Sequence, residues 1–153
     1  MRTSSFEARD PGYEARVRES FARQRIMRTF GARLASVAPG EVEIRLPFRD
    51  ELTQQHGFVH AGVVSTIADS ACGYAAFSLM PADAAVLSIE YKVNLLAPAE
   101  GEEIVARGRV LRPGHNVTVC TADVVALRAG EEVPVATMLA TMMTVRDRPE
   151  LRG

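Results

Sequence analysis

Between Ala61 and Met80 the chain carries one charged side chain, Asp69. Removing an unpaired carboxylate from water costs on the order of several kcal/mol even after the surroundings relax, so Asp69 needs either a partner or a task. A structural partner would be a buried arginine or the end of a neighbouring element. A chemical task would be activation of water, or direct attack on an electrophilic carbon. Just upstream, Gln54-Gln55-His56-Gly57-Phe58-Val59-His60-Ala61-Gly62 places amides, imidazoles and small residues where the apolar stretch begins. If that stretch is a helix, Ala61 and Gly62 offer free N–H donors at its positive end. His60 either orients this loop and meets a substrate or only packs locally, and the local reading is stronger for His56. Ser88 lacks the Gly-x-Ser-x-Gly surroundings of a nucleophilic serine, so its better role is a hydrogen bond to Asp69 or to an attacking water.

The elements that must hold these groups follow from hydrophobic period. Val17, Phe21, Ile26, Met27 and Phe30 recur among arginines at helical spacing, which predicts an amphipathic helix over 13–30, stopped by Gly31. Val42, Ile44 and Leu46 alternate with charged residues, and with 33–37 before Pro39-Gly40 they make a hairpin. A polar loop over 47–59 leads into a buried helix over 61–80, closed by Pro81. The central Asp69, with Ser65, Thr66 and Ser70, excludes a membrane span for this stretch. Beyond it, 86–95, 103–111, 116–127 and 133–145 read as β-branched strands. Such an antiparallel sheet needs one face covered, and the nearly uncharged helix can fill its concave side. The order is an α+β fold in one domain, 1–153, with a helical extension at about 13–30 and a core at about 32–145.

Composition narrows the function. A formal net charge of −1 argues against a nucleic-acid partner, whose phosphates require a basic surface. The first residues contain no apolar leader, which predicts a cytoplasmic protein. Cys72 and Cys120 lie among apolar residues without metal-ligand spacing and read as reduced core residues. The three histidines have no matching acidic spacing, so neither a metal nor another cofactor is expected. His115 reads as a turn residue.

The segment 54–69 resembles the signature of the phenylacetate-degradation-type thioesterases, a branch of the hotdog superfamily. Their order of Asn, Gly, His-Gly-Gly and Asp is met here by Gln54, Gly57, His60-Ala61-Gly62 and Asp69. Ser88-Ile89-Glu90-Tyr91-Lys92-Val93-Asn94-Leu95-Leu96-Ala97-Pro98-Ala99 is similar to the family's third-strand segment, with Ser88 at the place of an active-site serine. Two residues depart from the pattern. Gln54 carries an amide on a longer side chain than Asn, and Ala61 keeps the backbone donor of the glycine it replaces. The resemblance implies a hotdog fold, an antiparallel sheet wrapped around a long helix, and hydrolysis of acyl-CoA thioesters. The alternatives in view are a non-catalytic acyl-CoA or aromatic-ligand binder and a hotdog hydratase or dehydratase.

A thioester carbonyl needs donors where negative charge develops, and the start of the helix supplies them. Ala61 and Asp69 are eight residues apart, about 12 Å along one helix, too far to act on one carbonyl carbon. Two antiparallel helices across a two-fold axis would complete two sites, which predicts a homodimer. A tetramer of two such dimers would cover the outer sheet face. Phe58, Tyr74, Phe77, Leu79 and Met80 are candidates to line an apolar acyl tunnel. Arg107, Arg109 and Arg112, with Lys92 and His115, form the candidate cluster for the phosphates of CoA.

Overall fold

The computed structural model describes residues 5–151. Residues 1–4 and 152–153, the ends of the expected domain, lie outside the described residues. The chain runs α1 (Tyr13–Arg23), α2 (Arg25–Phe30), β1 (Arg33–Ala38), β2 (Glu41–Pro47), a short 3-10 turn (Asp50–Leu52), α3 (Ala61–Phe77), β3 (Ala85–Leu95), β4 (Glu103–Arg112), β5 (Val117–Arg128) and β6 (Glu131–Val145). The six strands form one antiparallel sheet in the order β1-β2-β4-β5-β6-β3. After β2 the chain crosses the concave face as α3 and rejoins the sheet at its opposite edge as β3. The sheet therefore wraps the helix, as the resemblance implies.

Small residues allow close packing at the centre. Ala68, Ala71 and Ala75 of α3 are fully buried. Opposite them, a Cβ on Gly108 of β4 would stand 2.3 Å from the Ala71 carbonyl, so no other residue fits beneath the helix at this depth. Cys72 and Cys120 lie in the same core, unpaired. Burial pushes both thiols up, Cys120 to about 12, and a thiol held protonated is a poor nucleophile.

The expected single helix over 13–30 is in fact two, broken at Gln24 (φ −74°, ψ 101°). Packing explains the break. In a continuous helix Met27 would point roughly 120° away from Phe21, whereas the break lets Val17, Phe21 and Met27 all reach the core. Ile26, expected on the apolar face, is 41% exposed. Gly31 ends α2 with a left-handed φ of 75°, the conformation glycine adopts without strain.

Arg16 ties α1 to the end of α3. Its guanidinium donates to the carbonyls of Phe77, Met80 and Pro81 and stacks 4.4 Å from the Phe77 ring. The Phe77 carbonyl also accepts the Met80 N–H and the Pro81 carbonyl the Ala84 N–H, so the guanidinium adds a further donor to the turn that follows α3. The helix stops at Phe77 rather than at the expected Met80, where Ser78 Oγ donates to Ala75 and accepts from the Gly40 N–H.

Candidate active site

The loop before α3 is closed on itself. Gln54 Oε1 accepts the N–H of His56 at 2.6 Å and of Phe58 at 3.4 Å, while the backbone N–H of Gln54 donates to Phe58 at 2.8 Å. Gly57 takes the left-handed φ of 82° that this turn requires. Gln54 thus uses its amide oxygen to shape the loop, and its NH2 group makes no hydrogen bond among the described residues. The loop is anchored by Val59 donating to Ala99 and His60 donating to Leu52.

His60 is the N-cap of α3, and its Nδ1 accepts the Gly62 N–H at 2.8 Å. Of the two donors expected at the helix start, Gly62 is therefore occupied. The Ala61 N–H makes no hydrogen bond among the described residues and stands at the positive end of a 17-residue helix. A cleft of about 590 Å³ opens over it, lined by Gln54, Gln55, Phe58, His60, Ala61 and the chain from Leu95 to Ala99. Gln55, beside Gln54 in the same motif, lines this cleft too, although the sequence pattern assigns the amide role to Gln54 alone.

Asp69 lies in a second cleft, of about 240 Å³, with Ser20, Gln24, Ser70, Gly73, Tyr74 and the start of β3. Ser88 Oγ donates to Asp69 Oδ1 at 2.7 Å. No ion pair reaches Asp69 among the described residues, so the buried-arginine alternative does not hold. Burial raises its carboxyl above the ordinary range, and the Ser88 hydrogen bond offsets part of that rise. Ser20 and Gln24 belong to no motif in the sequence; the packing of α1 and the break that follows it bring them within hydrogen-bonding distance of Tyr74 and Ser70 of α3.

The two clefts share no lining residue. Phe58 lies in the first and Tyr74 in the second, whereas Phe77, Leu79 and Met80, expected in a common tunnel, are core residues that line neither. The proposed cation cluster is also divided. Lys92 is in register with Arg109 only through Leu139 and Thr121, three strand spacings or about 14 Å away, and it donates to Asn94. Arg107 is held by Glu43 and Glu132. Arg109 stands 4.0 Å from Asp123, and Arg112 has no ion pair among the described residues. His115, beyond β4, accepts from Arg146 through its carbonyl. None of these residues lines either cleft. Among the described residues no three potential metal ligands gather, and no helix is long and apolar enough to cross a membrane.

Residues 56–132 match the family model described as Thioesterase superfamily. The chain belongs to that superfamily. It is 57% identical to a thioesterase family protein from Silicibacter pomeroyi, whose crystal structure superposes with a TM-score of 0.87 over 88% of this chain and 99% of that one. The PaaI protein of the E. coli phenylacetic acid degradation operon is 16% identical, with a TM-score of 0.79 over 87% and 93% of the two chains, and shares the hotdog fold. Among curated relatives, a putative esterase of Halobacterium salinarum is 34% identical over 62% of this chain and 66% of its own length. Human acyl-coenzyme A thioesterase 13 is 27% identical over 64% of this chain and 70% of its own. The matched region thus spans slightly less than two thirds of the first of these relatives.

Proposed function

We propose that this chain hydrolyses acyl-CoA thioesters of medium-chain or aryl acids to the free acid and CoA, in sites built by two copies. The carrying observation is the separation of two incomplete clefts, one with a free helix-start donor and the other with an unpaired carboxylate. They lie at opposite ends of β3. The Asp69 cleft is lined by Ala85 to Ser88 and the helix-start cleft by Leu95 onward. β3 is an edge strand, and Tyr91 and Leu95 stand in register with buried Ala140 and Ala136 yet are 45% and 55% exposed. A second copy pairing β3 antiparallel with β3 covers this apolar edge and joins the Asp69 cleft of one chain to the helix-start cleft of the other.

In such a site the Ala61 N–H of one chain holds the thioester oxygen as it gains negative charge, aided by the helix dipole. Asp69 of the other takes a proton from water as the water oxygen bonds to the carbonyl carbon. The C–S bond then breaks, and the thiolate leaves and is protonated to CoA. Direct attack by Asp69, giving an anhydride that water opens, uses the same placement. Ser88 keeps the carboxylate oriented. The name of the human relative supports CoA as the thiol carrier. The nucleotide of CoA extends outside both clefts, where Arg109 and Arg112 remain the offered cations. The exposed outer-face residues Leu87, Val117, Leu139 and Met143 favour two dimers associating into a tetramer.

Thiol release from a panel of acyl-CoAs tests the reading. Hydrolysis by the native chain and its loss in Asp69→Asn are expected. Tight binding of acyl-CoA without any thiol release would replace hydrolysis with a binding role.

A further inference from the structure

Beyond the carboxylate, the helical side of the Asp69 cleft, opposite Ala85, Val86, Leu87 and Leu151, carries polar groups that thioester hydrolysis does not require. Ser20 Oγ lies 3.2 Å from Tyr74 Oη, and Ser70 Oγ donates to Gln24 Oε1 at 3.3 Å. Ser70 and Tyr74 are 6% exposed. Gln24 Nε2, which carries two donors, makes no hydrogen bond among the described residues. Gly73 and Tyr74 follow Asp69 by one helical turn, about 6–7.5 Å further along α3. A Cβ built on Gly73 meets nothing within 4 Å, so the helix surface between the carboxylate and this wall is open. The cleft of about 240 Å³ holds about eight groups the size of a water at ~30 Å³ each, enough for a six-carbon acyl group with a terminal substituent.

We propose that Gln24, with the Ser20–Tyr74 hydroxyl pair, selects acyl groups carrying a hydrogen-bonding oxygen at the end remote from the thioester, with Gln24 Nε2 as donor. The inference rests on the hydrolase reading above. A plain alkyl end packed here would exclude water from Nε2 and from the hydroxyl pair without replacing its hydrogen bonds, and a site of that kind rejects the analogue lacking the polar group. Ser20 and Gln24 lie outside the segment 56–132 matched by the family model, whereas Tyr74 lies within it, so the N-terminal helices add the donor and one hydroxyl to a wall completed by α3.

The test compares hexanoyl-CoA, 6-hydroxyhexanoyl-CoA and 5-oxohexanoyl-CoA. For the native chain, kcat/KM is expected to be at least about tenfold higher for both oxygenated substrates than for hexanoyl-CoA, with the difference mainly in KM. Gln24→Leu should abolish the preference while hexanoyl-CoA turnover persists, which also reports that the variant is folded. Gln24→Glu replaces the donor with an acceptor. It should keep the preference for the hydroxyl substrate and lose that for the ketone, a pattern a merely structural residue cannot produce. Equal kcat/KM for the three substrates, or ratios unchanged in Gln24→Leu, overturns the proposal. Calorimetric binding of the same three compounds to Asp69→Asn measures selection without turnover. A binding preference with no turnover by the native chain would remove the hydrolase reading and leave the polar wall standing.

Discussion

Ser88 and Asp69, nineteen residues apart in sequence, meet through a 2.7 Å hydrogen bond that joins the edge strand to the central helix. The bond stabilises the charged carboxylate, which burial alone disfavours. It thereby links strand position to the protonation of the proposed base.

The acid limb of kcat/KM should therefore fall above the ordinary carboxylate range, since the proposed mechanism requires Asp69 ionised. Ser88→Ala removes the lowering contribution and should shift that limb to higher pH. At the plateau the loss should be about tenfold or less, as orientation alone is weakened. A pH-rate profile of the two proteins checks the direction, and an unmoved limb would assign the titration to another group.

Asp69→Asn should reduce turnover at least 10²-fold, within the range of lost general-base catalysis, while raising thermal stability at neutral pH. The folded-state pKa of Asp69 lies above its unfolded value, so the native state binds its proton more tightly. The cost of burying the charge is fully present above the folded pKa and is relieved as pH falls through it. Melting curves should thus show the variant ahead of the native chain at neutral pH, with the gap narrowing in acid.

Mixing two inactive variants tests whether the sites are shared between chains. Ala61→Pro deletes the free donor at the first helical position, where proline is tolerated. His60 already has the ψ of 139° that suits a residue before proline. Refolding this variant together with Asp69→Asn should recover part of the native activity, because a mixed dimer contains one intact site. Recovery absent from a mixture shown to contain heterodimers would place both groups in one chain.

Most of the fold was legible in the sequence because period and turn residues are local. Pro39-Gly40, Pro81, Pro113-Gly114 and Gly130 bound elements whose ends shifted by only a few residues. Asp69 stood out because charge is scarce around it, and Ser88 because it occupied a motif position. The break at Gln24 was hidden, since it arises from how Phe21 and Met27 both reach the core rather than from Gln24 itself. Lys92 and Arg109 were joined by sequence order, but the crossover of α3 puts β3 at the far edge, beyond β5 and β6.

Charge reversal of Arg109 and Arg112 together should raise KM for acyl-CoA about tenfold with little change in kcat, as phosphate contacts far from the thioester act on ground and transition states alike. An acyl-pantetheine without the nucleotide should show no change. Equal losses on both substrates would make these arginines structural.

Gly73→Ala should stabilise α3 by about 0.5–1 kcal/mol, the helix-interior advantage of alanine over glycine, because its Cβ enters open space. Larger residues should instead shorten the longest acyl group accepted. Steady-state kinetics across even-numbered acyl chains from Gly73→Ala to Gly73→Leu would reveal this. An unchanged length profile in the leucine variant would show that acyl groups do not pass Gly73.

The helix α1 holds Arg16 on the end of α3 and leads to Gln24 beside Asp69, yet it precedes the segment common to the superfamily model. On the proposed reading, the N-terminal helices supply part of the substrate-selecting wall, and α3 and β3 supply the reacting groups. Because Val17, Phe21 and Met27 of the same segment are core residues, acyl preference can be redirected by exchanging its cleft-facing residues Ser20 and Gln24 while Arg16 and these three are retained.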